Sequence, residues 1–320
     1  MTSVSIIICT RNRADSLRET LASIAKCEVG NWTVDLLAVD NGSSDDTRQV
    51  IESTTLPNMA LRYLHEPRAG QCFARNAGLR AAHGEVIMFT DDDVRVGTTW
   101  IQEMAAPLVL GKADLVQGPV LCPQHLRRPW MKGMLATWVA LVNSNDPSPP
   151  ALVGANMGFR RQVFEEVGPF HEELGPGALG FFDDTLFSWQ AEELGFKRVF
   201  VPEAKVEHHF DVSRMTPRGM KNIAERMAKS RAYVQHHWEH QGEYVVSEYA
   251  YSCLMSYALG CSSLLGWKIR GSLDERHLFH VYRAALNREL KTLKGKPRRY
   301  EKRGGTSRKQ SVRGFDELAR

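Results

Sequence analysis

Short apolar runs alternate with helix-like segments through the first hundred residues, and this alternation restricts the fold more than any other feature. Residues 4–9 form an apolar run rich in β-branched residues, as buried strands do. We predict three further strands at residues 34–39, 60–64 and 86–89. Residues 14–27 have apolar side chains at helical spacing, and residues 70–82 contain good helix formers ahead of Gly84. This order predicts an α/β fold, with a mostly parallel sheet and helices on both faces.

The rest of the chain is less regular and then helical. We predict strands at residues 115–121 and 199–201, a helix at 185–194, and helical structure from 216 to about 293. A Pro/Ser/Asp-rich loop is expected at 143–150, and a Gly-rich loop at 175–180. Ligands of parallel sheets lie beyond the carboxyl ends of the strands, and there this sequence concentrates its Arg, Asn and Asp residues.

The composition is that of a globular protein, with 43% apolar and 24% charged residues among 320. Six scattered cysteines without a CxxC pair argue against a disulfide framework or a zinc knuckle, and favour a reducing compartment. The N-terminal segment lacks the pattern of a signal peptide. Residues 249–267 carry no charge but hold four serines and two glycines, so we expect a packed helix rather than a spanning one; dipping into a membrane interface is the alternative.

Basic residues are concentrated at the C-terminal end. The formal net charge is +4, and residues 296–320 alone contain nine Lys/Arg and three Asp/Glu. We expect this tail to be disordered and solvated, with contact to anionic lipid headgroups as the alternative. The expected location is cytoplasmic, with peripheral contact to the inner face of the cell membrane through residues 216–320 left open. No specific nucleic-acid partner is expected.

The sharpest motif is Asp91-Asp92-Asp93, directly after an apolar strand. Three adjacent carboxylates repel one another and need compensation when buried. Mg²⁺ and Mn²⁺ prefer carboxylate and diphosphate oxygens, so a divalent cation is the predicted partner. A solvated acidic turn or helix cap is the alternative.

Other candidate groups also follow predicted strands, and each has a structural alternative. Asp40 could accept a hydrogen bond from a base or ribose, or close an Asx-turn. Arg13 and Arg75 could bind an anion or decorate the surface. Asp183-Asp184 could supply a general base or cap the next helix. His208 could be a metal ligand or a structural histidine.

In their order along the chain, these motifs resemble those of the family-2 glycosyltransferases, which have the nucleotide-sugar-binding fold called GT-A. The blocks that carry the resemblance are SIIICTRNR at 5–13, VDNGSSDDT at 39–47, GQCFARNAG at 70–78, FTDDD at 89–93, Asp183-Asp184, and VPEA at 201–204 with His208. Asp183-Asp184 stands where the family usually has Glu-Asp. The resemblance covers about residues 3–210.

The resemblance implies an inverting transfer of a sugar from a nucleoside diphosphate sugar, with UDP as the expected carrier and Mn²⁺ or Mg²⁺ as cofactor. The implied nucleotide-sugar-binding residues are Thr10, Arg13, Asp40, Arg75, Asn76, Asp91 and Asp92. The implied metal ligands are Asp91, Asp93 and His208. Asp184, with Asp183 beside it, is the implied base. Asn156, Trp130 and Phe182 are candidate contacts to an acceptor on a glycan, a lipid-linked sugar or a small molecule.

The resemblance also divides the chain. Residues 1–110 would form the nucleotide-sugar-binding half and 111–215 the acceptor-binding half of one domain, with a helical extension at 216–295 before the basic tail. A nucleotidyltransferase is the nearest rival enzyme, but it would need a Gly-rich triphosphate loop after the first strand, and residues 10–14 contain no glycine. A non-catalytic nucleotide-sugar-binding or nucleic-acid-binding protein is the rival from another class.

Overall fold

The computed structural model describes residues 2–143, 151–270 and 273–300. Most of the predicted 143–150 loop, and the basic tail from residue 301, lie outside these residues. The chain forms two compact units. After residue 125, successive segments of the chain belong alternately to one unit and to the other. The first comprises Met1–His125, Ala140–Gly177 and Asp183–His209; the second comprises Leu126–Val139, Ala178–Phe182 and Phe210–Arg320.

A seven-stranded sheet forms the centre of the first unit, in the order β3-β2-β1-β4-β8-β6-β9. All pairings within it are parallel except the two made by β8, which runs against β4 and β6. The mostly parallel α/β prediction is therefore confirmed. The seven strands of this sheet are β1 Ser3–Thr10, β2 Thr33–Asp40, β3 Ala60–His65, β4 Val86–Asp91, β6 Leu115–Gln117, β8 Asn156–Arg160 and β9 Arg198–Phe200. The other strands of the described residues are β5 Val94–Val96, β7 Val120–Leu121 and β10 Val206–His208.

Helices cover both faces of this sheet, which explains why its strands are apolar without alternation. Ile6 and Ile8 of β1 belong to one buried cluster and Ile7 to another, because successive side chains point to opposite faces. The helices of this unit are α1 Ala14–Ile24, α2 Thr47–Ser53, α3 Gln71–Ala81, α4 Trp100–Val109, α6 Arg161–Val167 and α7 Asp183–Glu193.

A second, three-stranded sheet has the order β5-β10-β7. The single strand predicted at 115–121 is in fact two strands: β6 joins the large sheet and β7 the small one. Gly118 and Pro119 separate them, and proline has no N–H to continue a ladder. The short β5 and β10 were not predicted, because three residues give no readable period.

The second unit is helical, as predicted for residues 216–293. It contains α5 Gly133–Trp138, α8 Pro217–His237, α9 Val246–Arg270 and α10 Glu275–Leu293. One buried cluster of this unit contains Ala228 and Ala232 of α8 together with Ala285, Leu286 and Leu290 of α10. None of the helices among the described residues combines the length and the apolar character that crossing a membrane requires.

Candidate functional site

Polar residues of three neighbouring strands meet at the carboxyl edge of the large sheet. In the parallel register, Thr10 of β1 lies opposite Asp40 of β2, and Cys9 lies opposite Asp91 of β4. Thr10 and Asp40 are both buried. The strand ends therefore bring together side chains that are up to 82 residues apart in the sequence.

The small sheet adds a histidine to this edge. Antiparallel pairing of β10 with β5 sets His208 opposite Val94, and the backbone N–H of His209 donates to the carbonyl of Asp93 at 2.7 Å. His208 Nε2 then lies 3.2 Å from Asp93 Oδ1. One ligand atom each from Asp91, Asp93 and His208 lie within 4.8 Å of one another, although His208 is more than a hundred residues away along the chain.

This cluster has the donor set of a divalent cation site. Burial and the neighbouring Asp93 raise the pKa of Asp91. Burial also acts to raise the pKa of Asp93, but His208 and Arg13 outweigh it and hold that pKa well below the usual range. Two adjacent carboxylates and an imidazole, mostly buried, fit a cation that accepts oxygen and nitrogen ligands, such as Mn²⁺. The three residues therefore fit the metal that the sequence predicts.

Arg13, a predicted nucleotide ligand, is paired with the acidic motif. Its Nη1 donates to Asp92 Oδ1 at 2.8 Å and to Asp93 Oδ2 at 2.7 Å. Burial nevertheless raises the pKa of Asp92 to about 6, against the effect of Arg13. The Arg13 side chain is 36% exposed, so part of it remains open to solvent beside the acids.

Three side chains that sequence reasoning missed hold the loops of this edge together. Asn12, in a left-handed conformation at φ 53°, accepts from the Ser44 N–H at 2.7 Å, and its own N–H donates to Ser43 Oγ at 2.9 Å. Asn41 accepts from the Gly70 N–H at 2.9 Å. Asp45 accepts from the N–H of Ala14, the first residue of α1, at 3.1 Å. The Asn-Gly and Ser-Asp composition signalled turns, but not these cross-loop partners.

Asp40 makes the turn that the sequence offered as the alternative to nucleotide binding. Its Oδ1 accepts from the Ser43 N–H at 2.8 Å, and its Oδ2 accepts from the Tyr63 hydroxyl at 3.1 Å. Both oxygens keep further acceptor capacity. The carboxylate is thus fixed at the end of β2, and its contact to a nucleotide stays a prediction.

Arg75 lies in the protein interior. The guanidinium is 4% exposed and pairs with Asp183 through Nη1, while Nη2 lies 4.0 Å from Asp91 Oδ1. It also lies over the ring of Phe170, 5.4 Å from the centroid. The side chain thus connects two acidic groups of the protein, and its predicted contact to a nucleotide stays a prediction.

Two glycines leave room for this ion pair. A Cβ at Gly154 would lie 1.9 Å from Arg75 Nη2, and one at Gly175 would lie 2.9 Å from the carboxyl carbon of Asp183. Gly175 also has φ +76°, which other residues rarely adopt. The Gly-rich loop seen in the sequence therefore has a steric reason.

Asp184 differs from Asp183 in exposure and partners. Asp183 is buried against Arg75, whereas Asp184 is half-buried at the start of α7. Asp184 Oδ2 accepts from the Gly154 N–H at 2.8 Å, and Oδ1 accepts from the Thr185 N–H at 2.7 Å. Burial, followed by the charge of Asp183, raises the pKa of Asp184 to about 6.

Asn76 and Asn156, two of the residues predicted to contact a ligand, form hydrogen bonds within the protein. Asn76 donates to the Phe170 carbonyl and accepts from the Phe170 N–H, both at 2.9 Å. Asn156 accepts from Trp100 Nε1 at 2.8 Å, donates to the carbonyls of Pro119 and Ala204, and is fully buried. Both amides therefore brace the backbone, and their contacts to a nucleotide-sugar and to an acceptor stay predictions.

The two aromatic acceptor candidates both lie in the second unit. Trp130 is half-buried, and Phe182 is buried with φ 71°. Their contact with an acceptor stays a prediction.

The fold is an α/β fold with a mostly parallel sheet and polar residues at its carboxyl edge, and comparison with known sequences identifies the family. Residues 5–168 match the sequence profile described as Glycosyl transferase family 2, which is just over half of the 320 residues. The chain therefore belongs to glycosyltransferase family 2.

Curated relatives agree with this assignment. The chain is 25% identical over 206 residues to glycosyltransferase AglE of Haloferax volcanii, covering 62% of this chain and 64% of the relative. It is 30% identical over 105 residues to a validoxylamine A glucosyltransferase of Streptomyces hygroscopicus, covering 32% of this chain and 25% of the relative. The chain thus spans less than two thirds of the length of these relatives.

Solved structures confirm the GT-A fold. A mannosyltransferase from Pyrobaculum calidifontis, in complex with GDP-Man and Mn²⁺, superposes with a TM-score of 0.58 at 19% identity, over 92% of this chain and 88% of that one. Staphylococcus aureus TarS 1-349, in complex with UDP-GlcNAc, gives a TM-score of 0.50 at 16% identity, over 92% and 90% of the two chains. At such identities the likeness concerns the fold.

Proposed function

We propose that this glycosyltransferase works by a metal-dependent, inverting mechanism, moving a sugar from a UDP-sugar to an acceptor hydroxyl on a glycan, a glycolipid or a small molecule. The observation that carries the proposal is the position of Arg75, whose guanidinium pairs with Asp183 and lies 4.0 Å from Asp91. The carboxylates suited to proton transfer and those suited to a cation are therefore neighbours across one side chain.

Asp184 is the general base in this proposal, and Asp183 positions it. The buried ion pair with Arg75 holds the Asp183 side chain in place and leaves it enclosed. Asp184 is the more exposed of the two carboxylates, and a pKa near 6 lets it take a proton near neutral pH. The N–H groups of Gly154 and Thr185 hold the carboxylate in place while it accepts the acceptor's proton.

Thr10, Arg13 and Asp40 form the donor side, at the ends of β1 and β2. Asp40 would accept a hydrogen bond from the base or ribose, and Arg13 would contact the diphosphate from beside Asp92. Asp91, Asp93 and His208 would hold Mn²⁺ or Mg²⁺. The bound cation would supply Lewis-acid stabilisation of the departing nucleoside diphosphate.

A thermal-shift panel tests the donor and the metal. UDP-, GDP- and dTDP-sugars are each added with and without Mn²⁺, because a ligand of the native state raises the Tm by mass action. We expect a shift only with a UDP-sugar and Mn²⁺ together. It should vanish in Asp93→Ala and persist in Asp15→Ala, whose side chain is 97% exposed. An equal shift without metal would contradict the metal site.

A transfer assay with Asp184→Asn tests the base. Loss of a general base lowers kcat by roughly 10²- to 10⁴-fold, and the metal-dependent shift in Tm should remain. Asp15→Asn is the matched control and should leave kcat unchanged. Near-normal transfer by Asp184→Asn with unchanged donor binding would refute the assignment.

A further inference from the structure

Helix α9 presents its large apolar side chains to solvent. Leu254, Tyr257, Leu264 and Leu265 are 65%, 84%, 54% and 59% exposed. Positions 254, 257, 261, 264 and 265 follow the three- and four-residue spacing of one helix face. No Asp, Glu, Lys or Arg interrupts residues 249–267, so about five turns of the helix carry no charge.

The opposite face of α9 is the more polar one. Ser252 and Ser263 are buried, and Ser256 and Gly260 are half-buried. Small side chains let α9 approach α10 closely, and packing against α10 is the most extensive that α9 makes. A helix with serines inside and leucines outside has its amphipathic pattern inverted for contact with water, which indicates an apolar environment on the outer side.

The surroundings of α9 are strongly basic. Residues 210–300 contain sixteen Lys/Arg and eight Asp/Glu, although the whole chain has a net charge of only +4. A groove of about 620 Å³ beside α9 shows the same combination, because Arg218, Lys221 and Arg288 line it together with Leu264 and Leu278; Glu225 is its one acidic lining residue.

This charge distinguishes between two occupants of the apolar face. A second copy of the chain would bring two basic helical units together, and their like charges would oppose association. An anionic bilayer surface instead attracts Lys and Arg, by about 1 kcal/mol for each residue near the surface. Tyrosines such as Tyr251 and Tyr257 also favour the headgroup region of a membrane.

We propose that the outer face of α9, defined by Leu254, Tyr257, Leu264 and Leu265, docks on the surface of a bilayer that contains anionic phospholipid. The leucines enter the boundary between headgroups and acyl chains, and Arg218, Lys221 and Arg288 contact the phosphates. The helix lies on the membrane and does not cross it. This inference does not depend on the donor, the metal or the base proposed above.

Vesicle co-sedimentation of the full chain tests the proposal without any substrate. We expect binding to phosphatidylcholine vesicles that contain about 30% phosphatidylglycerol, little binding to pure phosphatidylcholine, and weaker binding as salt is raised. Leu264→Ser/Leu265→Ser should lower the partition coefficient by roughly tenfold or more, because two apolar side chains leave the interface.

Leu110→Ser is the matched control, because Leu110 is 64% exposed and lies in the first unit. It should bind like the unchanged protein, and circular dichroism should show that both variants are folded. The proposal fails if the protein does not bind anionic vesicles, or if Leu264→Ser/Leu265→Ser binds them as well as the unchanged protein does. It also fails if light scattering shows a dimer that the double serine variant dissociates without any vesicle binding, since α9 is then an interface between copies.

Discussion

The Arg75→Met substitution removes a guanidinium that holds two acidic groups of the site, while keeping a long apolar side chain. Arg75 and Asp183 are 4% and 5% exposed, so the carboxylate would be left buried without its cation. Removing one partner of a buried ion pair costs about 3–5 kcal/mol. At roughly 2–4 °C per kcal/mol for a unit of this size, the Tm should fall by roughly 6–20 °C.

A double-mutant cycle separates the ion pair from other effects of the substitution. Arg75→Met/Asp183→Leu removes both charges, and its free energy of unfolding should lie closer to that of the unchanged protein than the single variant does. The assay is urea denaturation followed by circular dichroism. Arg48→Met is the control, since both members of the Arg48–Glu52 pair are largely exposed and such pairs contribute little.

The result that would refute this reasoning is an Arg75→Met variant as stable as Arg48→Met. Arg75 would then not be the buried connector that the structure shows. If its only defect were weaker binding of the nucleotide-sugar, the original sequence prediction of a nucleotide ligand would be right.

Two further predictions follow from the same region. Because burial and Asp183 raise the pKa of Asp184 from 3.8 to about 6, kcat should fall as the pH drops through about 6. The folded state also holds this proton more tightly than the unfolded state, so the contribution of Asp184 to the free energy of unfolding should decrease as the pH rises from 3.8 to about 6. Profiles of kcat against pH check the first effect, and urea titrations at several pH values check the second, each with the unchanged protein and Asp184→Asn. Gly154→Ala should lower both kcat and Tm, because its Cβ would lie 1.9 Å from Arg75 Nη2 and overpacking of this kind costs about 1–3 kcal/mol. Gly97→Ala is the control, since a Cβ there meets no atom within 4 Å, and it should change neither quantity. A Gly154→Ala variant with unchanged kcat and Tm would contradict the steric argument.

The sequence was most informative where the chain repeats a pattern. Strands β1, β2 and β4 of the large sheet are predictable because they are buried on both faces, which leaves long apolar runs such as the one around Ile6, Ile7 and Ile8. Since those strands are parallel, Thr10, Asp40 and Asp91 had to end at one edge. The cation cluster could be anticipated to the same extent, as acids after a strand, whereas His208 was assigned to it by resemblance alone.

Residues that act through distant partners were harder to assign. Arg75 and Asp183 are 108 positions apart, and no local period reveals that two such residues pair. Asn76 and Asn156 looked like ligand contacts for the same reason, because an asparagine that braces a remote carbonyl has no signature in its own neighbourhood. The strands β5 and β10, which deliver His208, are three residues each and too short to show alternation.

The carboxylates of the site differ in whether an arginine is hydrogen-bonded to them. Arg13 pairs with Asp92 and Asp93, and Arg75 pairs with Asp183. Of the five acids at positions 91–93 and 183–184, Asp91 and Asp184 accept no hydrogen bond from an arginine in the described part of the chain, although Arg75 Nη2 lies 4.0 Å from Asp91 Oδ1. A carboxylate without its own cation is the one that gains most from an added positive charge or a proton. In the proposed mechanism, Asp91 would therefore use this capacity for the cation, and Asp184 would use it for the proton of the acceptor hydroxyl.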